Sequence, residues 1–248
     1  MATERFTYKI IVSGDGVEEY KYKTKVQIRG YKRKKRKKKI IKDDIEKETK
    51  ENPEKTRFSI NRTRTEMRRI LQCNPNLDKF LTLTSKITDI TKANKCLNLF
   101  TQKIKKPYPD FKYFSVPEFQ SDIDFFGKLK PDGGAVHHHV LCNLPYVDQK
   151  EIAEIWGQGF IKIKKIEKGK NMMSYLSKYL EKEMRDKRMF RKRKYSCSQN
   201  IKRPFELIGK QAEEFMTTNN NSLKFKKASE FENQYSGEVD HNDFEFKK

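Results

Sequence analysis

Apolar and polar residues alternate from Phe6 to Val12 and again from Val17 to Ile28, with Ser13-Gly14-Asp15-Gly16 between them. A period of two around a glycine-containing turn predicts a β-hairpin, because alternate side chains of a strand share a face. From residue 57 the period switches repeatedly. Residues 59–72 read as an Arg-rich helix closed by the turn Gln72-Cys73-Asn74-Pro75-Asn76. Lys79 to Thr84 is β-rich, and Thr88 to Lys106 has apolar residues near helical spacing and stops before Pro107. Phe111 to Phe119 predicts a second strand that Pro117 brings to its end. After the Pro131-Asp132-Gly133-Gly134 loop, Ala135 to Cys142 reads as a third strand. Asp148 to Trp156 follows as a short helix, Gly159 to Ile166 as an alternating strand, and Tyr175 to Lys182 as an added helix.

The order strand, helix, strand, strand, helix, strand predicts an α+β fold of the ferredoxin-like, split βαβ type. In it an antiparallel sheet carries helices on one face and leaves the other open for a ligand. The third strand is central and antiparallel to the second, so Glu118 is expected opposite His137 or His139. The predicted organisation is an N-terminal hairpin over residues 1–30, a charged linker over 31–56, a catalytic domain over 57–208 and a tail over 209–248. That tail turns acidic from Ser229 onward, with Glu230, Glu232, Glu238, Asp240, Asp243 and Glu245, and is expected to be disordered at its end.

Charge identifies the class of partner. The chain of 248 residues has 56 Lys and Arg against 34 Asp and Glu, a net charge of +22, which calls for a polyanion, nucleic acid first. Two basic blocks are candidate phosphate contacts: the run that begins Lys32, Arg33, Lys34, Lys35, Arg36, and the block holding Arg191, Lys192 and Arg193. A solvated tail is the alternative reading of the first. No segment approaches the ~18 consecutive apolar residues of a membrane-spanning helix, and the N-terminus lacks the apolar core of a signal peptide. A cytoplasmic protein without a membrane partner is expected. Cys73, Cys96, Cys142 and Cys197 form no Cys-x-x-Cys pair and suggest neither a zinc knuckle nor a disulfide framework.

The richest chemistry lies in Val136-His137-His138-His139-Val140 and Tyr175-Leu176-Ser177-Lys178-Tyr179-Leu180-Glu181-Lys182. On a strand His137 and His139 point to one side and His138 to the other. With Glu118 they make a three-ligand set with open coordination positions, suited to Mg²⁺ or Mn²⁺ for phosphoryl chemistry and less to Zn²⁺. A helix brings Tyr175 and Tyr179 to one face, with Lys178 and Lys182 each three residues further on. A phenol titrates near pH 10 and needs activation to attack at neutral pH. Taken alone, this helix reads first as an amphipathic one with core tyrosines and surface lysines.

As a set, the Phe80-Leu81-Thr82-Leu83-Thr84 strand, Glu118 in Val-Pro-Glu-Phe-Gln, the histidine triplet and Tyr175-x-x-Lys178-Tyr179 resemble the HUH endonuclease superfamily. More narrowly, residues 79–182 look like the rolling-circle replication initiator (Rep) proteins of small plasmids and phages. The doubled tyrosine is similar to the branch containing the A proteins of isometric single-stranded DNA phages. The resemblance implies metal ligation by Glu118, His137 and His139, nucleophilic Tyr175 and Tyr179, assistance from Lys178, and DNA contact by Lys182. It implies nicking of single-stranded origin DNA through a 5′-phosphotyrosine, a 3′-hydroxyl primer, and host partners such as helicase and polymerase. His138 departs from the family, which carries a bulky hydrophobic or aromatic residue there. The alternatives are a relaxase or transposase of the same superfamily, and a noncatalytic single-strand-binding protein on the same sheet.

Overall fold

The computed structural model describes residues 5–27, 53–167, 176, 186–189, 192–233 and 236–247. In chain order the elements are β1 (Arg5–Ser13), β2 (Gly16–Gln27), α1 (Pro53–Gln72), β3 (Lys79–Leu83), α2 (Ile90–Ile104), β4 (Tyr113–Phe119), β5 (Val136–Cys142) and α3 (Gln149–Trp156). They continue with β6 (Ile161–Lys165), β7 (Ser196–Cys197), β8 (Phe205–Ile208), α4 (Gly209–Asn219), β9 (Leu223–Asn233) and β10 (Gly237–Phe246). The fold is α+β, with two antiparallel five-stranded sheets and four α-helices among the described residues. None of these helices is long and apolar enough to cross a membrane.

The chain divides into two units, one of Met1–Glu51 with Arg203–Lys248 and one of Asn52–Lys202. In the second, the sheet runs β6-β3-β5-β4-β7. Its central strand β5 pairs Leu83, Thr82 and Leu81 of β3 with His138, His139 and Val140 on one side. On the other it pairs Val116, Pro117 and Glu118 of β4 with His139, His138 and His137. Short side chains fix the helix ends: Asp89 and Asp148 accept the Lys92 and Lys150 amides at 2.7 and 2.9 Å at the starts of α2 and α3. Gly157 ends α3 at a φ of 61°, the left-handed conformation that glycine adopts without penalty.

Alternation sorts this sheet into two apolar faces, and both are covered. Leu81, Leu83, Val140 and Cys142 pack with Leu97, Phe100 and Ile104 of α2 and Ile152 and Trp156 of α3. Phe80, Phe114, Val116 and Leu141 of the opposite face pack with Ile60, Met67, Ile70 and Leu71 of α1, and with Leu176. The expectation of helices on one face is therefore corrected. The Arg-rich stretch carries enough apolar residues, spaced three, four and seven apart, to make α1 a covering helix. It also starts at Pro53, inside the stretch expected as linker. The fully buried Asn74 clips the end of α1, donating to the Ile70 and Lys202 carbonyls at 2.7 and 2.8 Å.

Pro117 does not end β4, which runs through it to Phe119. Short β7 pairs only with Phe114 and Ser115, so at Pro117 the strand has an open outer side, where a missing donor is tolerated.

The first unit's sheet runs β8-β1-β2-β10-β9. The predicted hairpin is β1 and β2, but it is not an independent piece, because β8 adds to β1 and β10 to β2. The tail expected to be disordered over 209–248 instead supplies α4, β9 and β10. Its alternation places Phe244 and Phe246 beside a core of Ile10, Val12, Val17, Ala212 and Leu223. Its charges lie across the ladder from opposite ones, as in Lys226 with Glu245 and Lys23 with Glu238. Helix α4 covers this face, and the boundary expected at residue 208 moves to Lys202/Arg203 because β8 belongs to this sheet.

Candidate active site

The second unit's sheet face under α1 carries the candidate chemistry. Period two puts His137 and His139 of β5, Glu118 and Val116 of β4, and Phe80 and Thr82 of β3 on that face. Glu118 stands opposite His137 in the ladder, yet its side chain reaches diagonally, and its Oε2 lies 2.7 Å from His139 Nε2. Gln120 Nε2 donates to the same Oε2 at 3.2 Å.

His139 is held from three sides. Its ladder neighbour Thr82 places Oγ1 3.4 Å from Nδ1. Phe80 stacks on the imidazole with ring centroids 5.6 Å apart and planes 12° apart. Its side chain is 4% exposed and that of Glu118 is 18% exposed, so the carboxylate meets solvent while the imidazole is walled in. Partial burial pulls the His137 imidazole below its ordinary value, with His139 and Lys130 adding to the effect and Glu118 opposing it. A neutral ring is the form that donates a lone pair to a cation.

Glu118 and His139 are thus in contact, and His137 joins them on the same face as Glu118's ladder partner. The three do not close into one tight cluster. Among the described residues the one trio of His, Cys, Asp or Glu whose ligand atoms all lie within 4.8 Å of one another is Glu18, His241 and Asp243 in the other unit. There Asp243 pairs with Glu18 and His241 with Tyr20 across β10 and β2. His241 Nε2 lies 3.4 Å from Asp243 Oδ1 and 3.8 Å from Glu18 Oε2. The sequence reading missed this trio, although His241 and Asp243 show the same i, i+2 spacing as His137 and His139.

His138 faces the other side of the sheet, where it is 1% exposed and neither ring nitrogen makes a well-formed hydrogen bond. Burial drives its pKa down to about 4, with the Ala93 backbone opposing the fall, so it is a neutral core residue and not a ligand.

Tyr175, Lys178, Tyr179 and Lys182 lie outside the described residues, but Leu176 is described: it is helical and fully buried against Phe80, Phe114, Val116 and Leu141. That cluster belongs to the face that carries Glu118, His137 and His139. Of the proposed phosphate contacts, Lys32, Arg33, Lys34, Lys35, Arg36 and Arg191 are also outside the described residues. Lys192 and Arg193 are exposed, and Lys192 Nζ lies 3.1 Å from Thr91 Oγ1.

No curated protein and no solved structure matches this chain. Residues 78–184, a little under half of its length, match the family model of the replication-associated protein ORF2, a stretch that opens one residue before β3 and takes in Glu118, the histidine triplet and the tyrosine segment.

Proposed function

We propose that residues 78–184 nick single-stranded origin DNA to start rolling-circle replication, through a tyrosine–phosphate intermediate. The observation that carries this reading is the Glu118–His139 contact beside His137, on the face where Leu176 is buried, within a segment matched by a replication-associated family. The strand order β6-β3-β5-β4 with α2 and α3 as crossovers agrees with a ferredoxin-like HUH domain.

Two imidazoles and a carboxylate on one face suit a divalent cation in donor type, so Glu118, His137 and His139 would hold Mg²⁺ or Mn²⁺. Such an ion, when bound, supplies Lewis-acid polarisation of the scissile phosphate. A phenolate oxygen of Tyr175 or Tyr179 attacks phosphorus, the P–O3′ bond breaks, and the leaving 3′ oxygen takes up a proton. The 5′ side is left on tyrosine and the 3′-hydroxyl is free for a polymerase. Lys178 stabilises the phenolate by its charge. One phosphodiester is exchanged for another, so the bond energy is kept for rejoining.

Incubating the full chain with 5′- and 3′-labelled single-stranded origin DNA and Mn²⁺ or Mg²⁺ tests this. A covalent adduct carrying the label of the 3′ fragment is expected, lost on chelation and in His139→Ala. The Tyr175→Phe/Tyr179→Phe double variant forms none, while each single variant keeps some cleavage but fails the complete transfer cycle. An adduct undiminished in the double variant sinks the proposal.

A further inference from the structure

The strand pair that bears Glu118 and His137 continues past Phe119 and Val136. The Gln120 amide donates to the Ala135 carbonyl at 2.9 Å, and the chain between them forms a finger closed by the Ile123–Leu129 bridge. Asp124 builds its tip. Asp124 Oδ1 accepts the amides of Phe126 at 2.9 Å and Lys128 at 2.8 Å, and its own amide donates to the Lys128 carbonyl at 2.8 Å. Gly127 turns the chain at a φ of 80°. At the base, Asp122 Oδ1 accepts the Gly134 amide at 2.6 Å and Arg188 Nη1 at 2.9 Å, and Arg188 lies 3.9 Å from the centre of the Phe119 ring.

This built turn presents two aromatic rings to solvent. Phe125 is 96% exposed and Phe126 82%, their centroids 5.6 Å apart and their planes at 87°. Neither ring contributes to a core. With no hydroxyl or ring nitrogen to hydrogen-bond, each offers only a π surface, which every nucleobase can stack on. The exposed Lys128 stands beside them and supplies charge complementary to a phosphate backbone. Phe125 is seven residues from Glu118, a span of at most about 25 Å, which a few nucleotides of strand can cover.

We infer that the 121–134 finger is a stacking platform for unpaired bases of single-stranded DNA, holding the strand beside the phosphate to be cut. The inference rests on the nicking reading for where that strand runs. The partner is an unpaired strand because bases inside a duplex have no free face to offer.

The test uses the full chain, an oligo(dT) probe and a chelator, so that no cleavage occurs. Phe125→Ala/Phe126→Ala should weaken binding about 10- to 100-fold without altering the slope of log affinity against log salt. Lys128→Gln should lower that slope by about 0.7. Phe125→Tyr should bind like wild type, whereas Phe125→Leu, apolar but without a π face, should be as weak as Phe125→Ala. Unchanged thermal melting of all variants shows that the fold is intact. The one native tryptophan, Trp156, is buried, so emission from a Phe125→Trp protein is separable and should be quenched by the oligonucleotide. Wild-type affinity in the double variant overturns the inference, as does a Phe125→Leu protein that binds normally. Emission that shifts only with phosphatidylcholine/phosphatidylglycerol vesicles also overturns it, making the finger a membrane contact. Quenching in a protein that never forms a covalent adduct would leave the platform standing and remove the nicking reading. Nicking with silent finger variants would do the reverse.

Discussion

His138 is an imidazole enclosed by a hydrocarbon core, with Leu83 and Pro117 as its ladder neighbours. Its two ring nitrogens lose water on folding and gain no well-formed hydrogen bond, a cost of about 1–3 kcal/mol. His138→Leu should therefore raise stability at pH 7 by about 1–2 kcal/mol. Acid sharpens the difference. The unfolded chain binds a proton near pH 6.5, while the folded one resists until about pH 4. The native protein thus loses about 1.4 kcal/mol per pH unit as pH falls through that window, and nothing above it. Urea unfolding of both proteins at pH 7.5 and 5 checks this; equal midpoints and equal acid sensitivity would mean that the ring has a partner after all. That His137 and His139 would share a face was legible from the period of two. That Glu118 would contact His139, and not its ladder partner His137, was not, because register fixes rows of residues while side-chain length and the Phe80 wall choose the contact.

At the scale of elements, legibility followed periodicity and failed where charge was read in its place. The strands and helices from β3 to β6 lie close to where alternation and helical spacing put them, since each buries a regular apolar stripe. The acidic segment from Ser229 was read by composition, yet it alternates as well as β1 does and its charges face opposite charges across the ladder. Exposed pairs of this kind are worth little individually; the pairing of β10 on both sides is what holds the segment. Asp240 has Lys21 of β2 on one flank and Glu230 of β9 on the other. Asp240→Pro removes an amide from a strand with neighbours on both sides, and should cost about 2–3 kcal/mol. A disordered tail would accept proline without effect. Hydrogen exchange of the β2 and β9 amides, compared between the two proteins, decides it.

For the whole molecule, a charge of +22 makes binding to a polyanion steeply salt-dependent. The run at Lys32, Arg33, Lys34, Lys35 and Arg36 supplies part of that charge. Neutralising these five residues to Gln should flatten the slope of log affinity for single-stranded DNA by about 0.7 for each phosphate contact given up, with adduct formation preserved at low salt. An unchanged slope in a salt titration by fluorescence anisotropy would mean that the run touches no phosphate.

The unit with Glu118, His137 and His139 is threaded between β2 and β8, so the other sheet is assembled from stretches lying on both sides of it in the chain. On a ribosome adding about 5–20 residues per second, β1 and β2 emerge roughly ten to thirty-five seconds before β8 exists to join them. A two-stranded hairpin is marginal alone. During that interval the strands of the inserted unit are complete while the enclosing sheet is not, and synthesis halted just after Lys202 would release a nascent chain with its candidate chemistry in place and its first sheet still unclosed.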